Sequence, residues 1–407
     1  MIVRLISLLL LVSSLKVPLK QTRAKKVLEK YSKLKSTPIT LASTLVENFY
    51  NLQYSAELYF GTPGQVMSLT LDTGSSYTWV PGTACKCHES LNTFIDSSSS
   101  TFKNTSKPID LYYGMGEVKG YLVTDTLSLG DLSAKDQQFV LINYDKDLDS
   151  LNSDGLLGLG FSLLSDGVPT FIDNLRSQGQ ISESVFSFYI SNSDNEFMQS
   201  VFTIGEYDTS KYGDGYERTI EIDPSFGYWV AILDSFSVDS QSLNRKQGYA
   251  IIDLGSSLIS LPNSIYKKYS KQVQNTNSLC YDIGYLVCDC TFGDYSSFPD
   301  LTLNFNGEDF VIHPENYIYY ENGYCYLLVD AIQDNYYLIG QPFFREFYTV
   351  FDMESSVVIA SRAARQETYY YFSRTQEAGM AVFALAVAGG LIIRYRRRDT
   401  GDYDRLV

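Results

Sequence analysis

One short sequence occurs twice in this chain and constrains its fold more than any other feature. Residues 71–76 read LDTGSS and residues 252–257 read IDLGSS, so that Asp253 follows Asp72 by 181 residues. Apolar residues before each aspartate predict a buried strand, and the glycine after it permits a sharp turn. A single copy is more often only a turn, with the aspartate bonded to its own backbone. Two copies predict two strand ends that each present a carboxyl group.

The repeat continues beyond these six residues. Gly158, in the sequence LLG, follows Asp72 by 86 residues, and Gly340, in the sequence LIG, follows Asp253 by 87 residues. Each half therefore has a strand, an Asp-x-Gly-Ser turn, a long β-rich stretch and a second apolar strand, which is the pattern of a duplicated lobe. We expect pseudo-twofold symmetry that brings the two aspartates together. The 33 tyrosines and 23 phenylalanines, with β-branched runs between Gly, Asn, Asp and Ser, predict a mostly β fold.

Charge is distributed unevenly along the chain. Residues 1–35 contain nine Lys or Arg and one acidic residue, whereas residues 36–393 contain 18 Lys or Arg and 43 Asp or Glu, a net charge of −25. So acidic a body argues against a general nucleic-acid binder, whose footprint is basic. The negative charge is compatible with a protein that functions at acidic pH, where many carboxyl groups are protonated. It is equally compatible with an ordinary soluble surface. Since only His88 and His313 are present, a Ser-His-Asp or Cys-His mechanism has little to build on.

A further motif places the two turns in a known order. Residues 111–121, LYYGMGEVKGY, predict a β-hairpin with a glycine-bearing tip, and Tyr113 follows Asp72 by 41 residues. With Trp79 and the paired turns, this order resembles the pepsin family of aspartic peptidases over about residues 50 to 362. The resemblance implies a bilobal, mostly β acid-protease fold with pseudo-twofold symmetry, and hydrolysis of internal peptide bonds.

The resemblance also implies a role for each matching residue. Asp72 and Asp253 are the implied catalytic pair, which shares one proton: one carboxylate takes a proton from water while the other carboxyl donates to the scissile carbonyl. The residues implied to support the pair are Thr73, Ser75, Ser256, Tyr113 and Trp79. Those implied to bind substrate are Gly74, Tyr113, Gly114, Met115, Gly116, Gly255 and Ser256. The hairpin is implied to be a flap whose Tyr113 closes over substrate and bonds Trp79. The expected partners are polypeptide substrates, with no nucleic acid, and neither cofactor nor metal is expected.

The sequence departs from the family pattern at one position. Thr73 matches a hydroxyl residue that crosses to the opposite turn, but Leu254 stands where the symmetric threonine or serine is expected. The loss of one buried hydrogen bond costs about 0.5–1.5 kcal/mol, so we expect reduced rigidity with retained activity. The alternative is a weak or inactive relative that binds peptides in the same cleft.

The N-terminal residues indicate processing. Residues 1–14 combine Arg4 with a short apolar run and small residues, which predicts a secretory signal peptide. Residues 15–45 are basic with interspersed apolar residues, and resemble the removable propeptide of pepsin-like zymogens, in which a lysine occupies the catalytic carboxylates. Lys33 and Lys35 are both candidates for that lysine, and cleavage is expected near residues 36–50. A disordered basic leader is the competing interpretation.

The C-terminal residues predict a membrane anchor. Residues 378–393 are apolar and Arg394, Arg396, Arg397 and Arg398 follow, which favours a single span with a cytoplasmic C-terminus. We therefore expect an N-terminal lobe at 46–222, a C-terminal lobe at 223–362, a polar stalk at 363–377, a transmembrane helix at 378–395 and a cytoplasmic tail at 396–407. The expected product is a monomeric type I membrane protein of the secretory pathway, with its catalytic domain outside the cell or in an acidic lumen. Residues 403–406, YDRL, resemble a signal for a sorting adaptor.

The six cysteines suit an oxidising compartment. By resemblance Cys290 pairs with Cys325, and Cys280 with Cys288 is the natural remainder, although four cysteines permit three pairings. Cys85 and Cys87 are left open between a bond to each other, the reduced state and other partners. Asn104 begins a glycosylation acceptor sequence. One helix is expected at Pro169–Gln178. A second helix is expected to begin after Asn263, with Asn263 as its N-cap.

Overall fold

The computed structural model describes residues 42–45, 47–49, 53–88, 91–114, 116–148, 151–191, 199–277, 279–291 and 294–364. Several predictions lie outside these residues: the signal peptide, Lys33 and Lys35, Met115, the stalk beyond residue 364, the transmembrane helix and the cytoplasmic tail. Among the described residues, no helix has the length and apolar character needed to cross a membrane.

The first half of the described chain forms one sheet around the first Asp turn. The sheet has eight strands in the described residues, and neighbours in this order are paired: Glu47–Phe49, Gln53–Phe60, Gln65–Asp72, Gly155–Gly158, Trp79–Lys86, Leu132–Lys146, Glu117–Leu129 and Lys103–Tyr112. Alternating burial along Glu117–Leu129 shows that one face of this strand packs inward and the other faces outward. The last two strands named, 103–112 and 117–129, form a hairpin much longer than the sequence motif alone indicated.

The second half forms a larger sheet around the second Asp turn. Its main path in the described residues runs Cys280–Asp282, Tyr285–Asp289, Tyr324–Ile332, Ile259–Pro262, Tyr336–Ile339, Gly248–Ile252, Val230–Val238, Leu301–Phe305 and Glu308–Ile312. Two short strands, Gln241–Ser242 and Ile318–Glu321, pair with 230–238 and 324–332 respectively.

A third sheet combines strands from distant parts of the chain. Its order in the described residues is Ala42–Leu45, Val201–Ile204, Val185–Tyr189, Phe347–Asp352, Val357–Arg362 and Arg218–Glu221. Trp229 packs against this sheet, with ring centroids 5.8 Å from Phe186 and 4.9 Å from Phe351. The buried apolar cluster that contains these rings also contains Leu71 and Ile252, the residues just before the two aspartates. One core therefore supports both turns.

The two Asp turns rest on matching pairs of parallel strands. Leu71 is paired with Leu157 in the first sheet, and Ile252 is paired with Ile339 in the second. Parallel strands are usually buried on both faces, which explains why both motif strands are continuously apolar. The prediction of a mostly β fold is confirmed, and the arrangement of sheets is consistent with the bilobal pepsin-like fold.

All but one of the helices in the described residues are short, and the ends of two helices correct details of the sequence prediction. The α-helices in the described residues are Phe171–Ser177, Thr209–Tyr212, Asn263–Thr276, Pro314–Tyr317 and Gln341–Glu346, with 3-10 turns at Asp96–Ser98, Ser162–Ser165 and Pro224–Phe226. The first helix is shorter than predicted because Thr170 and Asp173 form a capping box. Asn263 is the first helical residue instead of the cap, and Pro262 precedes it without a side-chain capping bond.

All six cysteines are in disulfides. Cys280 is joined to Cys288 and Cys290 to Cys325, the pairing set out from the sequence. Cys85 is joined to Cys87, which decides between the open alternatives.

Candidate active site

Asp72 lies at the end of the strand Gln65–Asp72 and is held by its own turn. Its Oδ1 accepts a hydrogen bond from Gly74 N at 2.8 Å, and its Oδ2 accepts one from Ser75 Oγ at 2.5 Å. Leu159 N donates to the carbonyl oxygen of Asp72 at 2.8 Å, which ties the turn to the neighbouring strand. The side chain is only 7% exposed.

Asp253 repeats this set of contacts in the second turn. Its Oδ1 accepts from Gly255 N at 2.9 Å and its Oδ2 from Ser256 Oγ at 2.7 Å. The structure therefore gives each aspartate one backbone donor and one hydroxyl donor at matching positions. The duplication seen in the sequence extends to the hydrogen bonds of the site.

The two turns face each other closely enough for the carboxyl groups to interact. A Cβ atom at Gly74 would lie 2.6 Å from Asp253 Cγ, and one at Gly255 would overlap Asp72 Oδ1. Only glycine leaves room for the opposite carboxyl group at both places.

Burial and proximity change the protonation of this pair. The pKa of Asp72 is raised by burial first and then by the charge of Asp253. Burial also raises the pKa of Asp253, against the opposing effect of hydrogen bonds from Ser256 and the glycine amides. Two buried carboxyl groups in contact do not both ionise easily, so the pair retains a proton well above the usual carboxyl range.

Thr73 connects the turns across the pseudo-twofold axis. Its Oγ1 donates to Ile252 O at 3.0 Å and accepts from Leu254 N at 2.9 Å. Leu254, the symmetric residue, is buried in the apolar core and offers no hydroxyl in return. Thr73, in the first turn, therefore provides both of the hydroxyl-mediated hydrogen bonds between the turns.

The predicted flap lies over the first turn. Tyr113 N donates to Gly116 O at 2.8 Å and closes the hairpin tip. Burial, and then the charge of Asp72, raise the pKa of Tyr113, while polar interactions with the side chains of Trp79 and Ser75 lower it. Trp79 Nε1 is buried and has no acceptor at hydrogen-bonding geometry among the described residues. The predicted Tyr113–Trp79 hydrogen bond is therefore not formed at standard geometry in this conformation, although the two side chains pack in one apolar cluster.

A cleft opens between the flap and the two aspartates. The described residues that line it are Asp72, Gly74, Ser75, Ser76, Tyr77, Leu111, Tyr112, Tyr113, Gly114, Leu164, Tyr228 and Asp253. None of them is a lysine or arginine. Among the predicted substrate-binding residues, Gly74, Tyr113 and Gly114 line this cleft. Gly116, Gly255 and Ser256 do not, and Gly116 lies against the backbone of Lys146.

Sequence reasoning missed four residues that the fold brings to this region, one of which is Tyr77, the residue directly after the first motif. Tyr228 and Leu164 line the cleft and lie outside the recognised motifs. Gln341 donates a hydrogen bond from its side chain to Leu254 O in the second turn. Tyr228 and Leu164 have no local signal, because they reach the cleft through long-range packing. Gln341 had one signal: it is polar and follows Gly340, whereas the equivalent residue after Gly158 is Leu159.

Comparisons with known proteins show which family the sequence resembles. The family model described as eukaryotic aspartyl protease matches residues 53–363. The chain is 33% identical over 340 residues to a probable vacuolar protease A of Trichophyton verrucosum (strain HKI 0517), covering 80% of this chain and 83% of that protein. It is 31% identical over 335 residues to pepsin A of Bos taurus, covering 78% of this chain and 88% of that protein.

Proposed function

Because the chain belongs to the eukaryotic aspartyl protease family, we propose that it is an active endopeptidase in which Asp72 and Asp253 together hydrolyse peptide bonds. One observation carries the proposal: two buried carboxyl groups face each other, and each is held by one glycine amide and one serine hydroxyl. A fold alone does not establish an activity, but an intact and symmetric pair is the arrangement that this chemistry requires.

The mechanism follows from the single proton that the pair shares. The ionised carboxylate takes a proton from a water molecule between the aspartates, and the protonated carboxyl donates to the oxygen of the scissile carbonyl. Water adds to the carbonyl carbon and gives a gem-diol. Proton transfer to the amide nitrogen then allows the C–N bond to break, which releases a carboxylic acid and an amine.

The fixed donors keep the pair ready for this exchange. Ser75 and Ser256 hold one oxygen of each aspartate, and Gly74 and Gly255 hold the other. The carboxyl groups therefore need not reorganise when the proton moves. Tyr113 covers the pair from the flap and shields it from bulk water.

We also propose that the enzyme is made as a zymogen, with residues 15–45 or part of them removed. The strand Ala42–Leu45 is paired with Val201–Ile204 along four residues. Cleavage at residues 36–41 keeps this edge strand in its sheet, whereas cleavage after residue 45 removes it and leaves the strand Val201–Ile204 as the edge, without its partner. We therefore place maturation at residues 36–41, before the paired strand. Lys33 and Lys35 both lie upstream of it.

The remaining proposals concern location. The relatives named as vacuolar protease A and pepsin A support a catalytic domain in a lumen or outside the cell. We propose a monomer of the secretory pathway, anchored by residues 378–395, with tail residues 403–406 available to a sorting adaptor. Asn104 is exposed in the structure, as an acceptor for glycosylation must be.

The test is cleavage of an unfolded protein substrate by the full-length protein after exposure to acid. The wild type is expected to cut at acidic pH and to be inhibited by pepstatin, and Asp72→Asn is expected to be inactive. Binding of peptides without cleavage, after the propeptide has been removed, would instead support the alternative of a peptide-binding relative. Equal cleavage by Asp72→Asn would refute the proposed dyad.

A further inference from the structure

Gln341 contacts the second Asp turn at two points. It is the first residue of the helix Gln341–Glu346 and is only 2% exposed. Its backbone N donates to Ser256 O at 2.9 Å, and its side-chain Nε2 donates to Leu254 O at 3.2 Å. The side chain therefore holds a backbone carbonyl within the turn that carries Asp253.

The first turn has no equivalent side-chain contact at this position. By sequence position after the glycine the matching residue is Leu159, whose backbone N donates to Asp72 O at 2.8 Å. The backbone bond that matches Gln341 N to Ser256 O is donated by Gly160 N to Ser75 O at 2.8 Å, and glycine has no side chain to add a second contact. A leucine side chain has no donor to offer. The two halves thus differ in their polar side chains. The first turn has the hydroxyl of Thr73, whereas the second turn has Leu254 at that position and its Leu254 carbonyl accepts a hydrogen bond from the side-chain amide of Gln341.

The contact leads directly to the catalytic carboxyl group. Leu254 O and Gly255 N belong to the same planar peptide unit, in which the C=O and N–H point in opposite directions. Gly255 N is the group that donates to Asp253 Oδ1 at 2.9 Å. Holding the carbonyl oxygen of Leu254 therefore fixes the direction of the N–H that orients Asp253. Successive hydrogen bonds of this kind also polarise one another in a buried site.

We propose that Gln341 is a positioning residue for Asp253, acting through the peptide unit between Leu254 and Gly255. The inference rests on the proposed peptidase activity and adds a residue to it. Gln341 is thus a second side chain, besides Thr73, that holds a backbone group of Leu254. The hydrogen bond from Gly255 N lowers the pKa of Asp253, so the N–H that Gln341 orients also favours the ionised carboxylate.

Two substitutions at this position separate positioning from packing. Gln341→Leu removes the donor and keeps an apolar side chain of similar size. Gln341→Glu keeps the shape, and its protonated carboxyl donates to Leu254 O at low pH, whereas its ionised form repels that oxygen. Gln137→Glu is the matched control, because Gln137 is equally buried and its Nε2 donates to Pro169 O at 3.1 Å, away from the dyad.

We expect Gln341→Leu to lower kcat about tenfold with little change in KM, and to shift the acidic limb of the pH profile upward. Gln341→Glu is expected to match the wild type near pH ~3 and to lose activity at a lower pH than the wild type as its carboxyl group ionises. Gln137→Glu should leave the shape of the profile unchanged.

The two hypotheses fail in different ways. An inactive wild type overturns the proposed function. An active wild type with the same kcat and pH profile in Gln341→Leu, or a Gln341→Glu profile parallel to that of the wild type, overturns the role of Gln341. If Gln341→Leu does not fold, the profile of Gln341→Glu in acid decides the question.

Discussion

The hydroxyl of Thr73 accepts a hydrogen bond from the backbone N of Leu254 at 2.9 Å, across the axis that relates the two Asp turns. Leu254 returns no such bond, although it occupies the symmetric position. The asymmetry therefore makes Thr73 the source of both hydroxyl-mediated contacts between the turns.

The first prediction concerns Thr73. Thr73→Val keeps the shape of the side chain but removes its hydroxyl, which leaves Leu254 N and Ile252 O buried without this partner. We expect a loss of about 2 kcal/mol in the free energy of unfolding, measured in urea, because unsatisfied buried groups cost about 1–3 kcal/mol. Thr73→Ser retains the hydroxyl and should lose less. Equal losses in the two variants would contradict the importance of the hydroxyl.

The second prediction concerns Leu254 itself. Leu254→Thr and Leu254→Val create nearly the same loss of volume in the core, so their difference isolates the hydroxyl group. If symmetry alone determines the contact, the threonine reaches the first turn, and Leu254→Thr is more stable than Leu254→Val by about 1 kcal/mol. Both variants should be less stable than the wild type, since Leu254 is 1% exposed within the core. A threonine variant less stable than the valine variant would show that its hydroxyl is buried without a partner.

The third prediction concerns pH and stability. Burial raises the pKa of Asp330 to about 6. The folded state therefore holds its proton at pH values where the unfolded chain has lost it, so this group favours folding in acid and penalises it progressively above pH ~4. We expect Asp330→Asn to have little effect on the free energy of unfolding near pH ~3, and to stabilise the protein increasingly up to pH ~6, with a constant gain above that.

The control for Asp330 is a buried carboxylate that is well bonded. Asp154 Oδ2 accepts from Ser68 N at 2.9 Å and Oδ1 from Asn92 N at 2.8 Å, so Asp154→Asn should destabilise the protein, because an amide nitrogen cannot accept either bond. Urea unfolding from pH 3 to 8 in an Asp72→Asn background avoids self-digestion. A pH-independent effect of Asp330→Asn would contradict the assignment.

The fourth prediction concerns substrate choice. Half of the described residues that line the cleft are tyrosine or leucine, and none is lysine or arginine, so we expect apolar side chains on both sides of the cleaved bond. Leu164→Lys should lower kcat/KM for such peptides by about tenfold, because one misplaced group in an apolar pocket changes binding by about 1–3 kcal/mol. Leu163→Lys is the neighbouring control, since Leu163 is 59% exposed and does not line the cleft. Similar losses in both variants would point to charge at the surface instead.

Local motifs explain why much of the site was predictable. Asp72 and Asp253 lie in contiguous sequences whose strand, turn and hydroxyl residues are encoded together, and their repetition made the pairing visible. The flap hairpin was predictable for the same reason. The third sheet was not, because it joins Ala42–Leu45 with strands near residues 185–204 and 347–362, and no local pattern encodes that pairing.

Side-chain contacts across the chain were the least predictable part. Gln341 reaches Leu254 across 87 residues of sequence. Tyr228 lines the cleft and packs against the apolar cluster of Val230, Ile251 and Leu338. Tyr113 and Trp79 pack in one apolar cluster, but among the described residues Trp79 Nε1 has no acceptor at hydrogen-bonding geometry, a detail that a motif does not specify. The sequence pattern predicts a cap at Asn263, which is wrong: Pro262 is at the cap position and Asn263 is the first helical residue.

The most direct test of the account compares kcat for the wild type, Asp72→Asn, Asp253→Asn and the double variant at acidic pH. Since the aspartates act as one unit, each single variant should lose nearly as much activity as the double variant, and the two effects should not add. All variants should remain folded, because asparagine is nearly isosteric with aspartate and is neutral like its protonated form. Substantial activity in either single variant, or losses that multiply in the double variant, would contradict a shared catalytic pair.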